Sequence, residues 1–447
     1  MNPQRIADVI TRETARFTQA RPKSAALLER AQASMPSGVP MAWMQGLTHH
    51  APVFIDEGSG ASFTDVDGNT YVDFNQADMS STVGHGTPAV VEAVARRMAQ
   101  GVQFLLPTED AIAVSEELAR RFALPFWQYT LSASSANAEA IRLARLATGR
   151  EGVLMFDGSY HGHIGETLVD YAHETPQSNA LGLPRDHARN TTVVPFNGLD
   201  AADAVLAKGK TACVMVEPAL SNVGLVLPKD GFLHGLREIC DRHGALMIVD
   251  ETHTHMFAFG GLVRLWDLKP HMVVIGKNIA GGVPIGAYGM GPDLADLMDR
   301  NLFDHAGDEP GFASGGTLYG SALSMAAARA TLEQVLTEDA YGHIAALGKR
   351  LAQGIQAIID EAGLPWKAQH LESRSGWLYD TEEPVSGVDA VRKMDVALSD
   401  SRRIFMANRG IWEAIVTAGP AVSFPMTEAD VDLYLQVSRD WIGELTA

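Results

Sequence analysis

The sequence predicts an α/β protein built on a large, mostly parallel β-sheet. From about residue 128 onward, short apolar runs alternate with longer segments of helical periodicity. The runs show little alternation of polar and apolar positions, which is typical of strands buried on both faces in a parallel sheet covered by helices. Strands are therefore predicted at 152–156, 213–217, 245–250 and 272–276, and helices at 135–147, 229–243 and 319–336.

The segments on either side of this alternating region predict a smaller α+β part. Two short strands flank the turn Asp67-Gly68-Asn69, a tripeptide suited to a hairpin. Helices are predicted at 3–34 and 338–362 in these segments, and at 87–100 and 109–122 between the hairpin and the alternating region. We therefore expect a large domain at 76–325 and a small domain that combines 1–75 with 326–447.

Composition and charge narrow the classes of function. The 447 residues carry a formal net charge of −19, which argues against nucleic acid or an anionic membrane as a main partner, because either would require a basic face. The N-terminus has no secretion-signal pattern, and no apolar run approaches the ~18 residues that span a bilayer. The two cysteines, Cys213 and Cys240, lie in apolar surroundings and are expected to be buried thiols. We expect a cytoplasmic, soluble protein.

Two charged residues come directly after apolar strands. Asp250 follows four apolar residues, and Lys277 ends the predicted strand at 272–276. Taken alone, the aspartate reads as a helix cap or salt bridge, and the lysine as a side chain that reaches solvent. Together they resemble the two ends of a pyridoxal-5′-phosphate (PLP) site, in which a carboxylate holds the pyridine nitrogen protonated and a desolvated amine carries the aldehyde.

A serine-rich segment supplies a candidate phosphate site. The stretch 132–135 precedes a helix expected to begin near Ala136, and Arg142 lies within that helix. Hydroxyl groups and the free N–H groups of a helix start are a common cup for phosphate. A serine cap with no ligand explains the same pattern when it is seen alone.

The stretch 275–289, together with Asp250-Glu251, resembles the class III (ω) aminotransferases. Within that family it is most similar to the branch of glutamate-1-semialdehyde aminomutases and β-amino-acid transaminases. The resemblance implies the fold of fold-type I PLP enzymes and covers nearly the whole chain. Further matches occur in the family's order at Met35-Pro36-Ser37-Gly38, Asp65-Val66-Asp67-Gly68, Gly84-His85, Thr148-Gly149-Arg150, Tyr160-His161-Gly162, Glu217-Pro218 and Gly316-Thr317.

The resemblance implies roles for residues around the cofactor ring. Lys277 would form the Schiff base (the internal aldimine) with PLP and move the proton during the reaction. Asp250 would pair with the pyridine nitrogen. Tyr160 would stack on the ring with His161 beside it, and Thr252 would lie behind it. Lys277, Asp250 and Tyr160 are the catalytic residues in this interpretation.

The resemblance also implies contacts at the edge of the cofactor and a partner subunit. Glu217 and Asn222 match polar residues near the ring hydroxyl. Thr317 matches a threonine that reaches the phosphate held by the neighbouring subunit. The family therefore implies a homodimer with the active site at the subunit interface.

The phosphate cup departs from the family in one respect. Ser132, Ala133 and Ser134 stand where relatives usually have Ser-Gly-Thr. Alanine lacks the conformational freedom of glycine, so we expect a negative φ at Ala133. The hydroxyl groups remain, and phosphate binding is still expected.

The substrate side departs further, because the arginines expected to hold a carboxylate are missing. None occurs in 39–44, 252–257 or 411–416. We therefore expect the amino donor to be an amine, an amino alcohol or an unusual amino acid, unless Arg264 or Arg403 replaces the missing guanidinium. The candidate pocket residues are Trp43, Asp78, His253, His255 and Trp412.

Other interpretations of the sequence remain open. His253 and His255 form a His-x-His pair that would share one side of a strand, but no third ligand at suitable spacing is evident, and no metal is expected. The main prediction is an aminotransferase that takes a small-molecule amino donor and a carbonyl acceptor. The alternatives are a PLP-dependent aminomutase, racemase or lyase acting on a single substrate, and a non-enzymatic PLP-binding regulator.

Overall fold

A computed structural model describes residues 1–48, 50–170, 177–178, 182–184, 189–301, 312–413 and 419–447. Two compact units emerge. The terminal unit comprises Met1–Thr87, Asp339–Glu383 and Lys393–Ala447, and the sheet unit comprises Pro88–Glu338 and Pro384–Arg392. The predicted domain limits at 76 and 325 remain a prediction.

Helices and strands alternate through most of the sheet unit, as they do in the predicted pattern. The α-helices are α1 (Pro3–Gln19), α2 (Pro22–Gln32), α3 (Trp43–Gly46), α4 (Gln76–Met79), α5 (Pro88–Gln100), α6 (Glu109–Phe122), α7 (Ala133–Thr148), α8 (Leu199–Leu206), α9 (Phe232–His243), α10 (Gly261–Leu265), α11 (Pro292–Asn301), α12 (Ala322–Gln334), α13 (Glu338–Glu361), α14 (Gly387–Lys393), α15 (Val396–Ala407) and α16 (Glu428–Thr446). The strands are β1 (Ile55–Ser59), β2 (Ser62–Asp65), β3 (Thr70–Asp73), β4 (Phe126–Thr130), β5 (Gly152–Phe156), β6 (Val169–Asp170), β7 (Gln177–Ser178), β8 (Thr191–Val194), β9 (Thr211–Val216), β10 (Leu246–Asp250), β11 (Met272–Ile275), β12 (Gly286–Met290), β13 (Lys367–Leu371), β14 (Arg374–Leu378) and β15 (Ile411–Trp412).

The sheet unit is organised around a seven-stranded sheet in the order β4-β12-β11-β10-β9-β5-β8. The pairs from β11 to β8 are parallel, and β12 runs antiparallel to both of its neighbours. Every residue of β9, β10 and β11 is buried except Leu246, which is half-buried. The predicted α/β class with a mostly parallel sheet is therefore confirmed.

The four predicted strands of this sheet are present as β5, β9, β10 and β11, whereas β4, β8 and β12 were not predicted. Strand β12 contains Gly286 and Gly289, and glycine has a low strand propensity, so the sequence does not predict a strand here. The fold requires both glycines. A Cβ atom at Gly286 would lie 2.2 Å from the carbonyl oxygen of Ser132, and one at Gly289 would lie 2.6 Å from the ring of Trp127.

The prediction of a single helix at 3–34 is wrong in one detail, because the structure divides this segment into two helices, α1 and α2. The break occurs at Arg21, whose φ of −131° and ψ of 53° lie outside the helical region. Pro22 explains the break, since proline disfavours helical geometry in the residue before it and lacks an N–H group. The Arg21 side chain is buried, and its Nε donates to the Tyr71 hydroxyl over 2.8 Å.

The terminal unit has its own sheet in the order β1-β2-β3-β15. The predicted turn at 67–69 joins β2 and β3, and the Asp65 carboxylate fixes it by accepting from the amides of Asp67 and Asn69 at 3.0 and 2.8 Å. Strand β15 adds to β3 in parallel, so residues near 412 reach the edge of an N-terminal sheet.

The two cysteines lie in the interior of the sheet unit. Cys213 and Cys240 are free and buried, as predicted, and burial raises the pKa of each thiol to about 12. Within the described part of the chain, no helix is both long enough and apolar enough to cross a bilayer.

Candidate active site

The carboxyl ends of three adjacent strands bring the predicted polar residues to one edge of the large sheet, here called the carboxyl edge. Glu217 follows β9, Asp250 ends β10, and Lys277 lies two residues after β11. Because β9, β10 and β11 are parallel neighbours, their ends meet on the same side of the sheet. This is the position at which open α/β sheets bind ligands.

Asp250 is buried and surrounded by hydrogen-bond donors. Its Oδ2 accepts from Asn137 Nδ2 at 2.8 Å and from His161 Nδ1 at 2.9 Å. Its Oδ1 accepts from the amide and the hydroxyl of Thr252 at 3.0 and 2.5 Å. Burial alone would raise the pKa of Asp250, but the His161 contact and the other hydrogen bonds lower it below its usual value. The group therefore remains a carboxylate where an apolar strand ends.

The serine segment forms the start of α7, three residues earlier than predicted. Ser132 is the N-cap and accepts from the amide of Ser135 at 3.2 Å. Ala133 is the first helical residue and does not have a positive φ, which confirms the expected conformation. The first amides of a helix have no partner within it, so the N–H groups of Ala133 and Ser134 are candidate donors to a phosphate.

Three glycines allow other segments to approach this cup closely. A Cβ atom at Gly162 would lie 2.3 Å from Ser134 Oγ, and one at Gly276 would lie 2.9 Å from the Ala133 Cβ. Gly286, described above, approaches the carbonyl of Ser132. The end of β11 therefore lies directly against the start of α7. Only residues without a side chain at these positions leave the cup accessible.

Lys277 lies one residue beyond this contact and is half-buried. It begins a 3-10 turn that ends at Ala280, and its φ of 52° is in the left-handed region, which is unfavourable for a residue with a side chain. Strain of this kind is concentrated at functional sites, where the surrounding structure imposes it. The backbone therefore places Lys277 beside the cup and next to the Asp250 strand.

Tyr160 and Glu217 lie on the β9 side of the edge. Tyr160 exposes 51% of its surface, and its amide donates to Glu217 Oε1 at 2.9 Å. Burial raises the pKa of Glu217 above its usual value, although the charges of His161 and His253 lower it. The exposed side chain of Tyr160, whose backbone is held by a buried carboxyl group, is available to a flat ligand. Asn222 is half-buried in the segment that follows β9.

The arrangement suits PLP on each of three criteria. The helix start and its hydroxyls suit the phosphate, the Asp250 carboxylate suits a protonated ring nitrogen, and Lys277 supplies an amine. The sequence matches the family described as aminotransferase class-III over residues 44–364. This chain belongs to that family.

Comparison with known proteins agrees with the family. The chain is 35% identical to a glutamate-1-semialdehyde 2,1-aminomutase of Nitratidesulfovibrio vulgaris (strain DSM 19637 / Miyazaki F), over 93% of this chain and 98% of that protein. A glutamate-1-semialdehyde-aminomutase from Pseudomonas aeruginosa PAO1, solved in complex with PMP, has a TM-score of 0.95 and 36% identity, with 100% of this chain and 99% of that chain covered. A β-phenylalanine aminotransferase from Variovorax paradoxus has a TM-score of 0.88 and 26% identity, with 98% and 97% covered.

The predicted class III aminotransferase-type enzyme with PLP as its cofactor is thereby confirmed at the level of family, fold and cofactor. Members of the family act on small-molecule amino and carbonyl compounds. The role of each individual residue remains a prediction.

Three of the predicted pocket residues belong to the terminal unit. Trp43 is 52% exposed. Trp412 lies edge-on to the rings of Phe63 and Tyr71, with centroid separations of 5.6 and 5.3 Å. Asp78 lies in α4, where all four residues have a positive φ, so the helix is left-handed. The end of the predicted segment 411–416, from residue 414 onward, lies outside the described residues.

The two histidines belong to the sheet unit, and the strand predicted for the His-x-His pair is wrong. The segment 254–256 forms a 3-10 turn. His253 Nδ1 lies 2.6 Å from Ser221 Oγ, and His255 Nδ1 lies 2.6 Å from the carbonyl oxygen of Glu251. Burial lowers the pKa of His255 to about 4. Among the residues that the structure describes, no group of three or more candidate side chains could hold a metal ion.

Three further residues singled out from the sequence, Arg142, Thr317 and Thr252, also lie in the sheet unit. Arg142 pairs with Glu139 at 3.0 Å and donates to the carbonyl oxygen of Ala313 at 2.9 Å. Thr317 is exposed, and its carbonyl oxygen accepts from the side chain of Gln103. The amide and the hydroxyl of Thr252 both donate to Asp250, as described above.

The arginines considered as substitutes for the missing clamp are engaged elsewhere. Arg264 lies over the ring of Phe259 at 5.1 Å. Arg403 is buried and donates to the carbonyl oxygens of Leu47 and Glu413. Both contacts are made within the unit to which each arginine belongs.

Sequence reasoning missed Arg374, a buried arginine at the start of β14. Burial lowers the pKa of Arg374 to about 10, while the charges of Asp78 and Glu413 raise it. The residue follows no recognisable motif. The only signal is an arginine beside the apolar Trp377-Leu378 segment, far along the chain from Asp78.

Proposed function

We propose that the protein transfers an amino group from a small amine, amino alcohol or unusual amino acid to a keto acid or aldehyde. One observation carries the proposal. The buried Asp250 carboxylate ends β10, Lys277 follows the adjacent parallel strand β11, and Gly276 between β11 and Lys277 lies against the phosphate cup at the start of α7. This arrangement supports amino transfer through PLP.

The residues around the carboxyl edge would hold the cofactor. Ser132, Ala133 and Ser134 would bind the phosphate through their hydroxyls and amides. Asp250 would keep the ring nitrogen protonated, because the hydrogen bonds that it accepts lower its pKa and keep it ionised. PLP, when bound, supplies the electron-withdrawing ring that stabilises negative charge developing at the carbon next to the amine. Tyr160 would stack on the ring, and Thr317 would act on the phosphate of a partner subunit.

Lys277 would provide the amine that first holds the cofactor and then carries a proton. Its half-buried position beside the cup limits its access to water, and its left-handed backbone restricts the directions in which the side chain extends. A positioned amine of this kind is suited to moving one proton between two nearby carbons. His161, by donating to Asp250, would keep the carboxylate in its place.

The proposed substrate class depends on whether an arginine is available to bind a substrate carboxylate. The three segments in which relatives carry a clamp contain none, and Arg264 and Arg403 are bound to groups of their own units. Without a guanidinium fork, a substrate carboxylate loses its strongest complement, so amines and amino alcohols gain relative to α-amino acids.

The test is a spectrophotometric screen of amines, amino alcohols and amino acids for conversion of the holoenzyme to its pyridoxamine form. We expect amines and amino alcohols to convert the enzyme, and Lys277→Ala to bind cofactor but lose turnover by at least about 10³-fold. Lys269→Ala removes an exposed lysine instead and should behave like the wild type. Conversion by common α-amino acids alone would overturn the substrate class.

A second candidate is an isomerase or lyase that acts on one substrate without a separate acceptor. The similarity to glutamate-1-semialdehyde aminomutases favours it. Stoichiometry distinguishes the two. An aminotransferase requires an added carbonyl acceptor for repeated turnover, whereas an isomerase turns over one substrate alone.

We also propose a homodimer in the cytoplasm. An apolar segment of the sheet unit is exposed at Phe104, Leu105 and Leu106, to 48%, 72% and 71%, and the Gln103–Thr317 contact brings the exposed Leu318 near it. A second copy that covers this surface would account for the exposure. Leu105→Glu should shift the mass measured by light scattering from dimer to monomer, and an unchanged mass would contradict the proposal. The two buried thiols support a reducing compartment.

A further inference from the structure

A row of buried polar groups crosses the ends of β5, β9 and β10. Tyr160 follows β5, Glu217 and Ser221 follow β9, and His253 follows β10. Glu217, Ser221 and His253 are exposed to only 4%, 1% and 6%. The predictions placed Glu217 at the cofactor and His253 in the substrate pocket, and they assigned Ser221 no role. The structure joins all three.

The hydrogen bonds run in one direction along this row. The Ser221 hydroxyl donates to Glu217 Oε2 at 3.1 Å, and it lies 2.6 Å from His253 Nδ1. A hydroxyl has one hydrogen, so when Glu217 receives it, the serine oxygen must accept from His253 Nδ1–H. At the other end, Glu217 Oε1 accepts from the Tyr160 amide at 2.9 Å. Both carboxyl oxygens therefore have fixed donors.

Glu217 depends on these donors more than Asp250 depends on any one of its own. Asp250 receives four hydrogen bonds, whereas Glu217 is held by the Ser221 hydroxyl and the Tyr160 amide. A buried carboxyl group with few donors loses its preferred orientation when one is removed. The orientation of Glu217 in turn fixes the backbone at Tyr160, the residue proposed to stack on the cofactor.

We propose that Ser221 and His253 are positioning residues that act through Glu217 to hold the Tyr160 backbone in place for cofactor binding. His253 orients the Ser221 hydroxyl, that hydroxyl orients Glu217, and Glu217 Oε1 holds the Tyr160 amide. The inference rests on the proposed stacking of Tyr160 on PLP, but its first step concerns the chain without cofactor. It removes His253 from the substrate pocket and gives it a role in forming the cofactor site.

The test measures hydrogen exchange at the Tyr160 amide in the cofactor-free protein and, separately, the dissociation constant for PLP. We expect Ser221→Ala and His253→Leu each to speed exchange at this amide about 10-fold and to weaken PLP binding by about the same factor. Ser221→Thr keeps the hydroxyl, and His253→Asn places an amide nitrogen near the position of Nδ1. Both should restore wild-type exchange and binding.

Thr331→Val is the matched control, because it removes another buried hydroxyl, one that donates to the Ala327 carbonyl inside α12. It should alter neither measurement. Unchanged exchange at the Tyr160 amide in Ser221→Ala would overturn the inference, and so would faster exchange with unchanged PLP affinity. A wild-type protein that binds no PLP would instead refute the proposed function, and the exchange measurement would still decide the first step.

Discussion

The carboxyl edge of the large sheet and the left-handed turn at Gln76–Met79 hold charge in different ways. At the carboxyl edge, Asp250 is buried, and both oxygens of its carboxylate accept hydrogen bonds from neighbouring donors. In the turn, Asp78 acts on the buried Arg374 as a charge. Direct hydrogen bonds keep the first carboxylate ionised, whereas backbone geometry determines where the second one lies.

The turn requires its own support because left-handed geometry is costly for residues with side chains. Its four residues have φ values of 53°, 49°, 57° and 62°. Each such residue costs about 1–2 kcal/mol relative to the right-handed form. Asp73 compensates by accepting from the amides of Asn75 and Gln76 at 3.1 and 2.7 Å, and the Gln76 side chain donates to the Ala421 carbonyl. The comparison shows that hydrogen bonding can stabilise either a charge or a strained backbone.

The largest expected effect comes from removing the charge at the carboxyl edge. Asp250→Asn replaces one acceptor oxygen by an amide that faces the donors of Asn137 and His161. We expect turnover to fall by about 10³-fold, because an uncharged partner no longer keeps the ring nitrogen protonated. The measurement is turnover together with the absorption spectrum of bound cofactor.

Asp157→Asn is the matched control for this change. Asp157 is also a buried carboxylate after an apolar strand, but it accepts from the backbone amides of Phe196 and Val388 at 2.6 and 2.8 Å. We expect it to cost stability, by about 2 kcal/mol, and to leave the cofactor spectrum unchanged. A spectral change of equal size in both variants would remove the distinction between the two aspartates.

A second prediction concerns a group that the carboxyl edge keeps neutral. Burial lowers the pKa of His255 to about 4, below the ~6.5 of an unfolded chain. Between these two pKa values the unfolded state therefore binds more protons than the folded state. The free energy of unfolding is highest above pH ~6.5 and decreases as the pH falls toward 4. The expected loss is about 3 kcal/mol of unfolding free energy.

His255→Asn tests this loss, since the asparagine amide can still donate to the Glu251 carbonyl but cannot take up a proton. Denaturant unfolding from pH 7 to pH 4.5 should show a smaller decline for this variant than for the wild type. The exposed His234 supplies the control, and His234→Asn should follow the wild-type decline. Equal declines in all three proteins would contradict the assignment.

A third prediction tests the close approach at the phosphate cup. Gly162 has a φ of +95°, and an added Cβ atom would lie 2.3 Å from Ser134 Oγ. We expect Gly162→Ala to cost about 2–3 kcal/mol and to weaken PLP binding about 10-fold. Gly149→Ala, at the other end of the same helix, has φ +65° and no atom within 4 Å, so it should cost only about 1 kcal/mol and leave PLP binding unchanged. Equal costs would show that contact with Ser134 is unimportant.

The same comparison explains which features the sequence could reveal. Asp250, Lys277 and the serine segment follow apolar strands or precede a helix, so each carries a local pattern that reasoning from one sequence detects. Arg374 and Ser221 carry no such pattern. Their partners, Asp78 and His253, lie far along the chain, and only the fold brings them together. The same limit applies to β12, whose glycines are explained by contacts with Ser132 and Trp127.

The smallest expected effects separate strain from charge within the left-handed turn. Ala77 is exposed and has a φ of 49°, so Ala77→Gly relieves strain and should raise the unfolding free energy by about 0.5–1 kcal/mol despite the extra freedom of glycine when unfolded.

Asparagine tolerates this geometry as well as aspartate does, so Asp78→Asn changes only the charge facing Arg374. It should lower the unfolding free energy by about 1 kcal/mol, since a buried cation loses part of its compensation. Urea unfolding at neutral pH measures both. Opposite signs at adjacent residues would establish that the turn is strained in order to hold a charge, whereas a stabilising Asp78→Asn would show that Arg374 does not need it.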